Sequence, residues 1–339
     1  MSALPPLKPR AMRDTLLEAT YEAMLQDPSI FFVTADFGSP VIDKIRADCS
    51  DRFVNVGIAE QNLINVSAGL ALEGFKVFAY AIAPFITMRC YEQIRVNLAL
   101  LSEVRSINVN LIGVGAGYSY VVSGPTHQCY EDLTVMRALP NMRIFSPADQ
   151  VVAAALPALC LDSDGPKYLR LDAQVLPVLY EISPTLDSGF HVHRQGDKIC
   201  LIATGYMVHT ALKAADKLAT SGLAVGVVDL FDLCSFSEDK LQSILASYQG
   251  VVTMEEGFRG RGGVDAMMFD YIARRGINVR MVNIGVEGRY RFELGERSVL
   301  HEKVGIGVES VIGSVEKFER TFSASSPPDL KNRSKEVIA

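Results

Sequence analysis

Strand-length apolar runs alternate with segments of helical apolar spacing along most of this chain. In the first half the runs are IFFVTAD (30–36), KVFAYAIA (76–83), INVNLIGVGAG (107–117) and KYLRLD (167–172). The pattern restarts with KICLIATG (198–205), LAVGVVDL (223–230), GVVTMEEG (250–257) and INVRMVNIG (277–285). Near-continuous apolar strands separated by helices are typical of parallel sheets that helices cover on both faces. We therefore predict an α/β fold with mostly parallel, helix-covered sheets.

The chain divides where this alternation stops. Its 339 residues exceed one ordinary core, and the residues near Pro177 and Ser183-Pro184 lose all periodicity. We predict one domain over 12–175, a linker over 176–197 and a second domain over 198–322. The polar, proline-containing tail 323–339 is predicted to be disordered.

Composition excludes several classes of protein. With 49% hydrophobic and 21% charged residues and a net charge of −6, the chain gives no reason to expect nucleic acid or an anionic membrane as a partner. No apolar run reaches the roughly 18 residues of a membrane helix. The six cysteines lie far apart without a C-x-x-C pair. We expect reduced, mostly buried thiols in a cytoplasmic protein.

The stretch FVNVGIAEQNLINVSAGLALEG, residues 53–74, predicts a short strand, a turn at Gly57 and a helix rich in small residues. A single carboxylate, Glu60, stands where the helix begins. The helix dipole stabilises such an acid by about 0.3–1 kcal/mol, and that role needs no ligand. The alternative is a buried carboxylate that shares a proton with a ligand, since the small residues let a ring approach closely. The residues of this stretch leave both interpretations open.

The segment SGPTHQ, residues 123–128, presents His127 from a loop shaped by Gly124 and Pro125. An isolated loop histidine is more often a satisfied structural residue. However, GIAEQN…SAGLALEG followed by GPTHQ, in this order and spacing, resembles the pyrimidine-binding domain of the transketolase and 1-deoxyxylulose-5-phosphate synthase group. These are thiamine-diphosphate enzymes. The resemblance implies that Glu60 hydrogen-bonds N1′ of the cofactor's aminopyrimidine and that His127 does general acid/base work on the substrate.

The same resemblance implies further contacts. To the cofactor they would come from Phe85, Ile58 and Arg95, and to the substrate from Arg170, Ser123, Arg13 and Ser39, besides His127. Arginine suits a substrate phosphate because its planar fork binds phosphate bidentately. Structural alternatives stand beside these roles. Phe85 can be a core ring, and its neighbour Ile86 is the alternative for its place against the aminopyrimidine. Arg95 can pair with Glu92, and Arg13 and Ser39 can be ordinary surface residues.

Some positions depart from the transketolase pattern. Ser123 stands where an acid commonly precedes GPTHQ, and the histidine usually found upstream has no counterpart in GVGAGYSYVV (113–122). A histidine of the family's C-terminal domain is replaced at Gly257-Phe258. Ser123 and the missing loop histidine favour an unusual sugar or a pathway-specific enzyme.

The sequence lacks the motif that binds the diphosphate half of the cofactor in this family. Thiamine-diphosphate enzymes hold the diphosphate through Mg²⁺ on a domain that opens with Gly-Asp-Gly, and no such tripeptide occurs here. His191 and His193 alternate without a third ligand, so we predict no metal site in this chain. The resemblance covers only the middle and last of the family's three domains. It implies a split enzyme whose N-terminal partner subunit carries the diphosphate and Mg²⁺ site, assembled as α2β2.

The resulting prediction is the C-terminal subunit of a split transketolase, which moves a two-carbon ketol unit between a ketose and an aldose through a covalent thiamine-diphosphate adduct. The sequence leaves open whether these sugars are phosphorylated. Two alternatives stay open. One is the β subunit of a 2-oxo-acid dehydrogenase, which shares the two-domain plan. The other is a non-catalytic scaffold subunit.

Overall fold

The computed structural model describes residues 7–323. The first domain contains a six-stranded sheet in which all pairs are parallel and the order is β2-β1-β3-β4-β6-β5. Its strands are β1 Ile30–Thr34, β2 Phe53–Asn55, β3 Lys76–Ile82, β4 Asn108–Val114, β5 Arg143–Phe145 and β6 Gly165–Leu171. The two central strands β3 and β4 are almost wholly buried, as their apolar runs predict.

Helices cover both faces of this sheet. They are α1 Met12–Gln26, α2 Pro40–Asp48, α3 Glu60–Leu72, α4 Tyr91–Ile94, α5 Asp132–Arg137 and α6 Gln150–Leu161. Helix α4 is a short turn between two π-helical stretches, Phe85–Arg89 and Arg95–Leu100. Asp149 caps α6 by accepting from the Val151 and Val152 amides, which satisfies two of the free donors at that helix start.

The second domain has a five-stranded sheet of order β11-β10-β8-β9-β7. Its strands are β7 Phe190–Arg194, β8 Ile199–Ala203, β9 Val225–Leu230, β10 Gly250–Phe258 and β11 Arg280–Val286. Only the β7–β9 pair is antiparallel. Its helices are α7 Met207–Thr220, α8 Glu238–Leu245, α9 Val264–Arg274, α10 Arg297–Lys303 and α11 Val308–Ser323. The predicted α/β class with mostly parallel sheets is confirmed.

The structure differs from the sequence prediction in the segment 176–197, which we expected to be a linker. It contains β7, an edge strand whose Phe190 and His191 face Leu230 and Asp229 of β9. An edge strand pairs with one neighbour instead of two. A five-residue strand can therefore form there even though polar residues interrupt its apolar ones. Helix α2 was likewise not predicted, although Ser39 caps it and Pro40 occupies its first position. The predicted disordered tail, 323–339, lies outside the described residues except for Ser323.

The two domains contact each other through backbone as well as side chains. Beside the edge strand β5, the Ser146 amide donates to the Phe231 carbonyl at 2.8 Å and the Leu233 amide to the Ile144 carbonyl at 2.9 Å. All six cysteines are free thiols, and five of them are buried. Within residues 7–323, no helix is both long enough and apolar enough to cross a membrane.

Candidate functional site

The site residues predicted from the two motifs meet at the carboxyl edge of the first sheet. From β1 the chain first moves to β2 on one side and then to β3 on the other, so the order reverses next to β1. Ligands of open α/β sheets bind outside the carboxyl ends of the strands at such a reversal. Glu60 follows β2, Phe85 follows β3, and His127 lies in the connection after β4.

A side chain at the end of β2 shapes the turn that delivers Glu60. The Asn55 carboxamide oxygen accepts from the Gly57 amide at 3.0 Å and from the Asp36 amide at 3.1 Å. Both donating residues have left-handed backbone, with φ of 74° at Gly57 and 58° at Asp36. Glycine adopts that conformation without strain and aspartate tolerates it better than most residues. The turn therefore places Glu60 as the first residue of α3.

Glu60 is a buried carboxylate with one charged partner that is itself half-exposed. Its side chain is 2% exposed, and both its oxygens accept from Arg89 Nη1, at 3.0 and 3.1 Å. The Arg89 side chain is 49% exposed. Its Cζ atom lies 4.0 Å from the centroid of the Phe85 ring, so the guanidinium covers that ring while it bonds the carboxylate.

His127 completes this group. Its ring lies edge-on to the Phe85 ring with 5.4 Å between centroids, and the Tyr120 ring is 6.3 Å away. The His127 Nδ1 atom is 2.9 Å from the Thr126 hydroxyl. The structure thus brings together Glu60, Phe85, Arg89 and His127, which we name the carboxylate site.

Other predicted residues lie outside this group. Ile58 is 75% exposed in the turn before Glu60, and Ser123 is exposed on the His127 loop. Arg95 points to solvent and pairs with Glu92 at 3.0 Å. This exposed pair with a residue three positions earlier matches the structural alternative predicted for Arg95.

Two residues predicted to contact a substrate phosphate have partners close to them in the chain. Arg13 donates to Asp14 at 2.8 Å, and this bond outweighs the effect of burial and raises the pKa of Arg13. Ser39 is 7% exposed and accepts from the Ile42 amide at 3.2 Å as the cap of α2. Burial distinguishes Ser39 from the surface residue that its sequence context allowed.

Arg170 was expected to hold the far end of the substrate, but it lies between the domains and is 3% exposed. Its Nε donates to Asp132 at 2.7 Å, and its Nη2 donates to the Glu256 carbonyl of the second domain at 3.1 Å. Burial alone would lower the pKa of Arg170, yet Asp132 raises it above its ordinary value. Because the side chain is buried and its Nε and Nη2 bond one group from each domain, this position favours an interdomain contact over a substrate contact.

The charges continue from Arg170 into a larger cluster. The Glu256 carboxylate accepts from Arg297 at 2.6 Å and lies 2.6 Å from the His301 ring nitrogen, while Arg297 also pairs with Asp172 at 2.6 Å. Burial by itself would raise the pKa of Glu256, but Arg297 and His301 outweigh it and hold that pKa well below its ordinary value. We name the set Asp132, Arg170, Asp172, Glu256, Arg297 and His301 the interdomain network.

Sequence reasoning missed Arg89 and most of the interdomain network. A signal for Arg89 was present, because it stands four residues after Phe85 in a segment predicted to be helical, and such residues share a helix face. The partners in the network lie on separate elements of both domains, so no local spacing reveals them.

The carboxylate site has the features that an aminopyrimidine requires. It offers a buried carboxylate next to an aromatic face, and the only charged group that the described residues place on that carboxylate is a side chain that reaches solvent. For Mg²⁺ the result is different. No group of three or more His, Cys, Asp or Glu side chains within residues 7–323 could hold a metal ion. The described residues therefore fit the aminopyrimidine ring of the cofactor, but they include no such group of ligands for the metal that binds its diphosphate.

Two family models match the chain. The transketolase pyrimidine-binding domain matches residues 8–178, and the transketolase C-terminal domain matches residues 189–311. The domain limits predicted above stay predictions, since a family match does not define a boundary.

Relatives of similar length carry transketolase names. The chain is 33% identical over 267 residues to an apulose-4-phosphate transketolase subunit of Actinobacillus succinogenes, covering 77% of this chain and 83% of the relative. It is 28% identical to a 6-deoxy-6-sulfo-D-fructose transketolase subunit of a Clostridium species, covering 89% and 92%. Among solved structures, a split-gene transketolase described as an inactive β4 tetramer superimposes with a TM-score of 0.80 at 29% identity, covering 91% of this chain and 98% of that one. On this evidence the chain belongs to the transketolase family, of which it carries the pyrimidine-binding and C-terminal domains.

Proposed function

We propose that this chain is one subunit of a split transketolase-type enzyme, which transfers a two-carbon ketol unit between a ketose and an aldose with thiamine diphosphate as cofactor. The observation that carries the proposal is the buried Glu60 carboxylate beside the Phe85 ring at the switch point of the sheet. The names of the relatives support the same reaction class, because two of them are transketolase subunits for different sugars.

When bound, thiamine diphosphate supplies a nucleophilic carbon and an electron sink for breaking the bond next to a ketose carbonyl. Glu60 holds a proton at N1′ of the aminopyrimidine, and burial keeps water from competing for that proton. Phe85 stacks on the ring, which is worth about 0.5–1.5 kcal/mol beyond burial. Ile58, exposed in the adjoining turn, offers apolar surface to the cofactor.

His127 moves protons at the hydroxyls and carbonyl of the substrate, from a loop that reaches the Phe85 ring. Ser123 lies on the same loop and donates to, or accepts from, a sugar hydroxyl. Arg13 is the better-placed candidate for the substrate phosphate, since its guanidinium is partly exposed whereas that of Arg170 is enclosed. We assign no ligand contact to Ser39 or Arg95, whose side chains have structural partners.

The partner subunit in this proposal is an N-terminal transketolase subunit that carries a Gly-Asp-Gly sequence, the diphosphate site and Mg²⁺, in an α2β2 complex. The exposed apolar side chains around the carboxylate site support such a partner. Ile58, Met88 and Val122 are 75%, 38% and 73% exposed, and each lies on a segment that carries a site residue. These side chains are therefore available to contact a second subunit that binds beside the site.

The test is calorimetric titration of thiamine diphosphate with Mg²⁺ into the chain alone and into its mixture with a Gly-Asp-Gly subunit from the same genome. We expect tight binding only in the mixture. Glu60→Gln should then lower ketol transfer by about 10²–10⁴-fold, the usual contribution of a positioned proton-transfer group. Glu73→Gln, at the exposed end of the same helix, is the matched control. Absence of cofactor binding in every mixture would refute the proposal and favour a scaffold subunit.

A further inference from the structure

Arg89 makes two contacts at once, and both are with residues assigned to the cofactor. Its Nη1 lies 3.0 and 3.1 Å from the two Glu60 oxygens, and its Cζ lies 4.0 Å from the centre of the Phe85 ring. Arg89 stands four residues after Phe85 within one π-helical stretch, so the guanidinium folds back over the ring. π-Helical turns are rare and often occur at functional sites.

A guanidinium is a flat cation with donors in its plane and a face that stacks on aromatic rings. The aminopyrimidine of the proposed function is also a flat group that shares a proton with Glu60 and stacks on Phe85. One carboxylate edge and one ring face cannot serve both groups in the same place. Arg89 and the cofactor ring therefore compete for the same two contacts.

The side chain of Arg89 is able to leave, whereas Glu60 cannot. Arg89 is 49% exposed, so its charge is readily solvated when it turns outward. Within residues 7–323, its guanidinium has no ion pair or hydrogen bond other than those to Glu60. Glu60 is 2% exposed, and a buried carboxylate that loses its only partner is strongly destabilised. Departure of Arg89 is favourable only when another donor replaces it.

We propose that Arg89 occupies the place of the aminopyrimidine until the cofactor binds, and that its guanidinium then leaves for solvent. This inference rests on the proposed function of Glu60 and Phe85. It gives Arg89 the part of a competitor, which keeps Glu60 paired and Phe85 covered before assembly. It also lowers the affinity of the isolated chain for the ring, in addition to the missing diphosphate site.

The exchange can be tested with thiamine, which carries the aminopyrimidine but not the diphosphate. Binding to the full-length isolated chain is followed by saturation-transfer NMR and calorimetry. We expect Arg89→Ala to raise the association constant for thiamine at least about tenfold, and Glu60→Gln in the same chain to abolish the gain. Arg89→Gln, which keeps a neutral donor beside Glu60, should show a smaller gain. Arg105→Ala, an exposed arginine after the same helical segment, is the matched control.

The outcomes separate this inference from the proposed function. Unchanged or weaker thiamine binding by both folded Arg89 variants would overturn the exchange, whatever Glu60→Gln does. If no mixture with a Gly-Asp-Gly subunit binds the cofactor, the proposed function itself fails. If the assembled enzyme binds cofactor and turns over normally with Glu60→Gln, the role of Glu60 fails and the exchange fails with it. If Glu60→Gln abolishes turnover while the Arg89 variants bind thiamine no better, only the exchange is refuted. Circular dichroism of each variant establishes that it is folded.

Discussion

The carboxylate site and the interdomain network both contain a buried glutamate and an arginine, yet they differ in how their charges are satisfied. Glu60 has a single charged partner among the described residues, and that partner is half in solvent. Glu256 has two ion-pair partners among the described residues, Arg297 and His301, and both are buried. Arg297, in turn, also contacts Asp172 and lies 3.6 Å from the centre of the Tyr206 ring.

Under the proposed function, this difference separates a cluster that binds a cofactor from a cluster that stabilises the fold. In the network, the charged groups find partners within the chain, so removing one leaves others buried without compensation. In the carboxylate site, the exchange proposed above would replace Arg89 without burying a new charge. The type of residue does not distinguish the two clusters, but the exposure of the partner does.

The largest effect should come from breaking the network at Arg297. Arg297→Met removes the ion-pair partner of Asp172 and one of the two ion-pair partners of Glu256, and both carboxylates stay buried. We expect a loss of about 3–5 kcal/mol in the free energy of unfolding. Urea denaturation followed by circular dichroism measures it. Arg46→Met is the control, because Arg46 pairs with Asp43 on an exposed face, where such pairs contribute about 0–1 kcal/mol. Equal losses in the two variants would erase the distinction between the clusters.

Glycine-to-alanine substitutions next to Glu256 and next to Glu60 test how tightly each glutamate is packed. A Cβ at Gly117 would overlap the Glu256 carboxylate, and φ there is 55°. Gly57, before Glu60, has φ of 74° with nothing within 4 Å of its Cβ position. We expect Gly117→Ala to cost about 2–4 kcal/mol from strain and overpacking, and Gly57→Ala about 1–2 kcal/mol from strain alone. Thermal and urea unfolding of both variants measure the two losses. A larger loss for Gly57→Ala than for Gly117→Ala would contradict the tighter packing around Glu256.

Glu255 and Glu256 are adjacent on β10 and allow a second comparison of buried carboxyl groups. Glu255 has an oxygen without a hydrogen-bond partner among the described residues, and burial raises its pKa to about 7. Its folded form therefore holds a proton that the unfolded chain releases above about pH 4.5. The stability from Glu255 is complete below that pH and is lost as the pH rises to about 7.

Replacing the carboxyl should remove this pH dependence. Relative to Glu255→Gln, the wild-type chain should lose up to about 3 kcal/mol of unfolding free energy between pH 4.5 and pH 7. Urea titrations at pH 5, 6 and 7 give the two slopes. Parallel slopes would mean that Glu255 is charged in the folded protein.

The smallest effect is expected at Glu60. Because Arg89 is half-exposed, its charge is solvated when the carboxylate is lost, and Glu60→Gln should change the free energy of unfolding by less than about 1 kcal/mol. Unfolding of the isolated chain by urea is the measurement. A loss as large as that of Arg297→Met would make Glu60 a structural residue and contradict the contrast between the two clusters.

Most of the fold could be predicted from sequence, because the apolar runs of β3, β4, β8 and β10 are long and bounded by clear turns. The exceptions have local physical causes. Strand β7 makes only edge contacts, so its residues need not be apolar, and α2 is short with its signal confined to Ser39-Pro40. The π-helical stretches of 85–100 have the apolar pattern of an ordinary helix.

The candidate site was predictable where a motif is continuous and not where the contact joins distant segments. Glu60 and His127 come from continuous motifs, and the structure places both beside Phe85 and its neighbour Arg89. The Glu60–Arg89 contact depends on the meeting of two helical segments 29 residues apart. The burial of Arg170 depends on the second domain, which its own strand cannot reveal.

The interdomain network also bears on where the polypeptide could be divided into two fragments. Its members Asp132, Arg170 and Asp172 precede the segment around Ile182, and Glu256, Arg297 and His301 follow it. Ile182 itself is 83% exposed. A break in the polypeptide there leaves the Asp132–Arg170 pair in one fragment and the Glu256–Arg297 pair in the other, while the buried Asp172–Arg297 pair joins the two fragments. We expect fragment complementation at this exposed segment to restore the Asp172–Arg297 pair only when the two fragments associate.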